Sequence, residues 1–307
     1  MKLKNFSKII GVTLLLVMIV LAALTYWHPG ARTTSSGTHP AVRHRSTVRV
    51  VALGDSLTQG VGDTTDNQGY SGRLKTMIHK KDKVKVVMHN YGKSGDRSDQ
   101  IEKRLVDSRQ QQRQVRRAQA IVMTVGGNDL LQTLTKNVTI NQQSRLNTQL
   151  TTAEKSYETK LKSLLSTVRK YNPNAPIYLY SIYNPIYVYF ANLDQITDAV
   201  DDWNDVTTHT GRDFSHLYMV DISRAMSVGQ FKSATQQAKL KRQSQQANDG
   251  KLSAKSFQEQ ILASSSSDEL NDYLSSADHF HPNAKGYDLM TAAAFKQMQA
   301  HQQWLNK

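Results

Sequence analysis

The chain has no cysteine among its 307 residues. That absence excludes disulfides, thiolate-ligated zinc, iron–sulfur clusters, lipid attachment to Cys and a Cys nucleophile, and it leaves the redox compartment open. Negative charge is also scarce, with Asp+Glu 25 against Lys+Arg 39 and a formal net charge of +14. Internal repeats are lacking, as are a helix-turn-helix signature, a zinc finger and an aromatic RNA-binding motif. The basic balance therefore points away from nucleic acid and toward an anionic neighbour such as lipid headgroups or an acidic envelope polymer. With 38% hydrophobic and 21% charged residues, the chain can bury a core, which excludes wholesale disorder.

Ile9 to Trp27 reads IIGVTLLLVMIVLAALTYW, without a formal charge. At about 1.5 Å per residue, such a helix reaches the ~30 Å thickness of a bilayer core. Lys2, Lys4 and Lys8 precede the run and only Arg32 follows closely, so the positive-inside bias predicts a cytoplasmic N-terminus and everything after Trp27 outside. A cleavable signal peptide is the rival, but the run is long for one, and Leu21 occupies the outer position of the small-x-small site near Ala23. The expected organisation is a cytoplasmic N-terminus and transmembrane anchor over 1–27, a flexible Pro-, Gly-, Ser- and Thr-rich linker over 28–46, and a single domain over 47–307.

Within that domain, short apolar β-branched runs at Val48–Leu53, Val84–Met88, Ala120–Val125, Ile177–Ile182 and Leu217–Ile222 predict five strands. Helical spacing separates them at Gly69–His79, Asp99–Gln111, Leu146–Tyr171 and Leu193–Gly211. A last segment, Ala284–Gln303, places Tyr287, Met290, Ala294 and Met298 on one face. This alternation predicts an α/β fold with a parallel sheet covered on both faces, whose ligands sit beyond the strand carboxyl ends. The stretch 223–260 breaks the pattern, with Arg224, Lys232, Lys239, Lys241, Arg242, Lys251 and Lys255 against Asp249 and Glu259. It reads as a polar helical insertion, or as a cap over the site that meets an anionic surface.

Four turns at or near that expected rim carry chemistry. Gly54-Asp55-Ser56-Leu57 follows the first strand and sets a serine where a nucleophile is useful, although Ser and Gly also serve as ordinary turn residues. It is not the G-x-S-x-G elbow, because Thr58 replaces the second Gly. Asn90-Tyr91-Gly92-Lys93-Ser94-Gly95-Asp96 follows the second strand and Gly126-Gly127-Asn128-Asp129 the third. Glycine N–H groups and an Asn amide can serve a tetrahedral oxyanion without adding charge. Asp278-His279-Phe280-His281-Pro282-Asn283 stands before the last helix, where His281 could serve Ser56 as a base with Asp278 fixing its tautomer. His279 forms an H-x-H pair with His281, but no third ligand stands at a telling spacing, so no metal site is read here.

Taken together, GDSL at 54–57, the Gly of SGD at 94–96, GGND at 126–129 and D-x-x-H-P at 278–282 resemble the SGNH, or GDSL, hydrolase family over about residues 47–303. GVGD at 60–63 and HPNAKGY at 281–287 resemble its membrane-anchored Gram-positive lipase/acylhydrolase branch. The resemblance implies a flavodoxin-like three-layer α/β/α sandwich with a five-stranded parallel sheet. It also implies a cofactor-free esterase that works through an acyl-serine. Carried over by position, Ser56 is the nucleophile, His281 the general base and Asp278 its orienting carboxylate. Ser56, Gly95 and Asn128 form the oxyanion hole, with Gly92 competing for the place of Gly95. The expected substrate is a lipid or lysophospholipid ester. The alternatives are a cell-wall polysaccharide or peptidoglycan deacylase, or a non-catalytic surface-anchored binding protein. Tyr183, Tyr187, Tyr189 and Phe190 suit an apolar acyl site as well as they suit core packing.

Overall fold

A computed structural model describes residues 44–65, 67–137, 143–248 and 269–306. The expected anchor over 1–27, most of the linker and the 249–260 part of the insertion lie outside the described residues. Among the described residues no helix is long and apolar enough to cross a membrane.

Five parallel strands form one sheet: β1 (Thr47–Gly54), β2 (Lys85–Gly92), β3 (Ala120–Met123), β4 (Ile177–Tyr180) and β5 (Leu217–Val220). Their order is β2-β1-β3-β4-β5, the flavodoxin-like arrangement. Successive side chains leave a strand on opposite faces, so each central strand feeds two cores. Val48, Val50, Ala52, Val122, Tyr178 and Tyr180 pack on α1 (Ser56–Gln59), α2 (Gly69–Asp82) and α10 (Ala284–Ala300). Val51, Leu53, Ile121, Met123, Ile177 and Leu179 face the other layer. That layer is α3 (Ser98–Asp107), α4 (Arg109–Arg117), α5 (Gly127–Asn137), α6 (Gln143–Tyr171) and α7 (Asp194–Gly211). The predicted stripe of Tyr287, Met290, Ala294 and Met298 is fully buried, as the spacing requires.

The differences from the sequence pattern have local causes. Polar His89 and Asn90 end the apolar signal of β2 early, yet the strand continues to Gly92 because these residues pair with Val51 and Ala52 on β1. Thr124–Val125, Ser181–Ile182 and Asp221–Ile222 extend their apolar runs but leave the ladder and enter the loops above it. The expected helix over Asp99–Gln111 divides at Ser108, whose hydroxyl accepts from Gln111 N at 3.2 Å and caps α4. Residues 44–46, assigned by sequence to the linker, belong to the fold: His44 bridges Asn306, and Arg45 N donates to Leu305 O at 2.9 Å. The stretch read as a polar insertion opens with α8 (Ser223–Val228), which buries Met226 and Val228; Met226 joins the main core. Polar character starts beyond Gly229, in α9 (Ala234–Asn248), where Leu240 packs against Val188 and Ala191.

The loop between α1 and α2 is fixed by one buried ion pair. Arg73 on α2 pairs with Asp63 and reaches Asp288 on α10 at 2.8 Å; the Asp63 side chain is 1% exposed. Burial would raise the Asp63 carboxyl, but Arg73, both donors of Thr65 and the Gly69 N–H outweigh it and hold the pKa at about 2. Removing one partner of such a pair strands the other, so Arg73→Met is expected to lower unfolding stability by roughly 3 kcal/mol in urea titration. A depressed carboxyl stabilises the fold above its ordinary range, and that contribution fades as pH falls toward about 2. Over that acid window, Asp63→Asn should therefore lose stability less steeply than the wild type.

Candidate active site

Ser56 begins α1 immediately beyond β1 and is 6% exposed. Asp55 caps the helix, its Oδ1 accepting from Leu57 N at 3.0 Å. Thr124, just past β3, donates its hydroxyl to the same carboxylate at 2.7 Å. With that proton committed, Thr124 accepts from Thr58 and Thr58 from Tyr70, each at 2.8 Å. Burial pushes the Asp55 carboxyl up, against the opposing pull of Thr124, the Leu57 N–H and His281. The serine thus sits on a turn braced from below by a chain of buried hydroxyls.

The second half comes from the turn before α10. Asp278 Oδ1 accepts the N–H groups of Phe280 (3.0 Å) and His281 (2.9 Å), and Oδ2 lies 2.6 Å from His281 Nδ1. His281 Nε2 lies 2.8 Å from Ser56 Oγ. Burial opposes ionisation of Asp278, but the His281 ring and these backbone N–H groups prevail and hold its carboxyl below the usual range. An ionised carboxylate requires the proton on Nδ1, which leaves Nε2 free to accept from the serine hydroxyl. The turn is anchored in turn by Asn283, whose Oδ1 caps α10 through Gly286 N at 3.1 Å while Nδ2 donates to Leu274 O at 2.6 Å. Tyr287 OH donates to Val61 O at 2.7 Å and ties the Asp63 loop to the same helix.

The two glycines that compete for the second oxyanion position differ in what their N–H groups do. Gly92 N donates to Asn90 Oδ1 at 2.8 Å, and a Cβ there would collide with the Gln59 backbone. Lys93 N donates to Gly54 O at 3.1 Å and Ser94 N to Gln59 Oε1 at 2.6 Å. Gly95 has φ +82° and is exposed, and among the described residues nothing accepts its N–H. Asn128, in the first turn of α5, donates one amide hydrogen to Asp96 O at 3.0 Å and lines the cavity that holds Ser56.

Arg104 on α3, which no sequence motif marks, joins these pieces. Its Nη2 donates to Gly54 O and its Nη1 to Tyr91 O, both at 2.9 Å, and its Nε pairs with the buried Asp96. Asp129 fixes the far side of the same loop by accepting from Ser98 N (3.0 Å) and Ser98 Oγ (2.8 Å), and burial raises its carboxyl. In sequence, Arg104 is one basic residue on an amphipathic helix; only the folded position reveals its three acceptors. His279 does not join His281. It is buried with Nδ1 2.6 Å from Glu269 Oε2, and Tyr189 OH lies 3.2 Å away. Among the described residues no group of three or more His, Cys, Asp or Glu could hold a metal ion.

The small cavity at Ser56 is walled by Leu57, Val125, Ile182, Tyr183 and Phe280. It shares Gly127, Ile182, Tyr183 and Phe280 with a neighbouring hollow. That second compartment is lined by Leu130, Leu131 and Leu134 of α5 and by Ile186, Ile196 and Val200 opposite. Of the four aromatic residues singled out in the sequence, only Tyr183 lines the cavity. Phe190 packs with Ile186, Leu193 and Ile196, Tyr187 packs near Leu240, and Tyr189 bonds Glu269.

Comparison with known proteins fits this geometry. Residues 52–289 match the model of the GDSL-like lipase/acylhydrolase family. The uncharacterized protein YpmR of Bacillus subtilis strain 168 is 32% identical over 230 residues, covering 72% of this chain and 82% of that protein. The lipase Lip_vut3 from a goat rumen metagenome superposes with a TM-score of 0.58 at 20% identity, covering 81% of this chain and 96% of that structure. By the span of the family match and the identity to YpmR, the chain belongs to the GDSL-like lipase/acylhydrolase family of ester hydrolases.

Proposed function

We propose that this chain hydrolyses esters of an extended apolar acyl group, of lipid or lysophospholipid type, on the outer side of a membrane to which residues 9–27 tether it. The observation that carries the substrate class is the apolar groove that runs on from Ser56 between α5 and the 182–196 segment. An acyl chain laid there leaves its carbonyl beside the serine and buries its methylenes against Leu130, Leu131, Leu134 and Ile186, each worth about 0.8 kcal/mol. The tether rests on the uncharged run and the Lys2, Lys4 and Lys8 that precede it.

In this reading His281 Nε2 takes the proton of Ser56 Oγ as the oxygen attacks the ester carbonyl. The tetrahedral oxyanion receives the N–H groups of Ser56 and Gly95 and the second hydrogen of the Asn128 amide. Asp278 holds the imidazolium that forms. Collapse expels the alcohol with the proton from His281 and leaves acyl-Ser56, which water attacks by the same route to release the acid and restore the serine.

Ser56→Ala should abolish ester turnover and fluorophosphonate labelling without altering the circular dichroism spectrum, whereas undiminished turnover would remove Ser56 from the mechanism. Asn128→Ala should lower kcat by ~10²–10³ with a smaller change in KM, as loss of one oxyanion donor does. Across a p-nitrophenyl ester series, kcat/KM should rise with acyl length, and Leu134→Trp should move the optimum to shorter chains. A wild-type preference for acetyl esters or acetylated glycans would instead favour the polysaccharide deacylase reading. Because the chain lacks cysteine, Ser276→Cys gives a single thiol. In intact cells an impermeant maleimide should label it; labelling only after lysis would contradict the outward placement.

A further inference from the structure

Parallel strands put every strand start, and every preceding helix end, on one edge of the domain, opposite Ser56. Hydrogen bonds knit that edge together: Lys85 N to Ser46 O at 2.9 Å, Gln119 N to Arg49 O at 2.8 Å, and Ile177 N to His216 O at 2.8 Å. Its charge is nearly all of one sign. Lys80, Lys81, Lys83 and Lys85 surround the α2–β2 turn, Arg116 and Arg117 end α4, and all six are exposed. Exposed Lys170 and Arg212 continue the series at the ends of α6 and α7. None of these cations forms an ion pair among the described residues. The two carboxylates in the same segments are engaged elsewhere, Asp82 by the Gln299 amide and Asp213 by Lys162.

Cations in a last helical turn complement the helix dipole, and that accounts for part of the pattern. It does not account for Arg49 and Lys85, which stand on strands, or for Lys83 in the turn between elements. At the opposite edge the loop carboxylates have internal partners, Asp63 with Arg73, Asp96 with Arg104, Asp129 with Ser98 and Asp278 with His281. The strand-start edge is therefore distinguished by a cluster of exposed cations that form no ion pair among the described residues. His44 and Arg45, the first described residues, lie at the same edge, where Arg45 N bonds Leu305 O.

We propose that this basic edge docks on the anionic lipid headgroups of a bilayer and turns the Ser56 edge away from it. Clustered Lys and Arg at a membrane surface are drawn to acidic lipid within about one Debye length. Residues 28–43 supply at most ~3.5 Å each, enough slack for either edge to face the membrane, so the charge decides the orientation. The acyl ester then enters from the side away from the supporting bilayer. This inference uses the tether of the preceding section but is read out separately from it.

The cysteine-free background allows single environment-sensitive labels on the full chain, at Asn174→Cys on the basic edge and Ser276→Cys on the opposite edge, both exposed positions. Each is reconstituted in vesicles of phosphatidylcholine alone or mixed with phosphatidylglycerol, with a headgroup-borne quencher. The label at 174 should be quenched several-fold more than that at 276 in the mixed vesicles. The difference should vanish in phosphatidylcholine, at about 1 M salt, where the Debye length falls to ~3 Å, and in Lys83→Glu/Arg116→Glu/Arg117→Glu. Full ester turnover certifies that this variant is folded, and Lys80→Gln/Lys81→Gln should reduce the quenching partway. Stronger quenching at 276, no quenching at 174, or quenching at 174 indifferent to lipid charge and salt overturns the proposal. Retention on phosphatidylcholine vesicles at high salt tests the tether; if it fails, the charge dependence at 174 still decides the docking.

Discussion

The hydrogen bond of 2.8 Å between His281 Nε2 and Ser56 Oγ joins the end of the first strand to the start of the last helix across 225 residues. A contact that short between distant parts of a chain requires both partners to be held within a fraction of an ångström. The fold supplies this by anchoring each partner to the rigid layer beneath it. Ser56 is seated through Asp55, Thr124, Thr58 and Tyr70, and His281 through Asp278 and the Asn283 cap. β1 borders the topological switch, and α10 packs on β4, β5 and α2 of the same layer, so the two partners share one scaffold.

The surrounding loops follow the same economy. Arg104 binds two backbone carbonyls and Asp96 at once, and Asp129 accepts two hydrogen bonds from Ser98, so the loop bearing Gly95 is held from both sides. The buried carboxylates Asp96 and Asp129 are both paired, which keeps the loop from relaxing while its exposed Gly95 N–H stays uncommitted. The cavity at Ser56 and the apolar hollow beside it share Phe280, the neighbour of His281.

Much of this was legible in the sequence because it depends on local pattern. Five β-branched runs became five strands, and the period of Tyr287, Met290, Ala294 and Met298 became a buried face. Ser56, His281 and Asp278 lie in short motifs whose spacing already sets two of them in one turn. What stayed hidden depends on folded proximity. Arg104 looks like any cation on an amphipathic helix, Thr124 looks like the continuation of a strand, and the choice between Gly92 and Gly95 rests on which N–H finds an internal acceptor. Strand ends misled for a related reason: Val125 and Ile182 are buried in the core and line the cavity without pairing in the sheet. Part of the net charge gathers where only the topology brings it together, since Lys80, Lys81, Lys83, Lys85, Arg116 and Arg117 meet at the edge where the strands begin.

The central claim is that Ser56 carries the acyl group between two half-reactions. It is tested most directly by quenching the enzyme in acid during turnover of a long-chain ester and mapping the adduct by mass spectrometry. The account predicts one acyl group on the peptide that contains Ser56, decaying at the rate of acid release. Turnover with no adduct, or with the adduct on another residue, would contradict it.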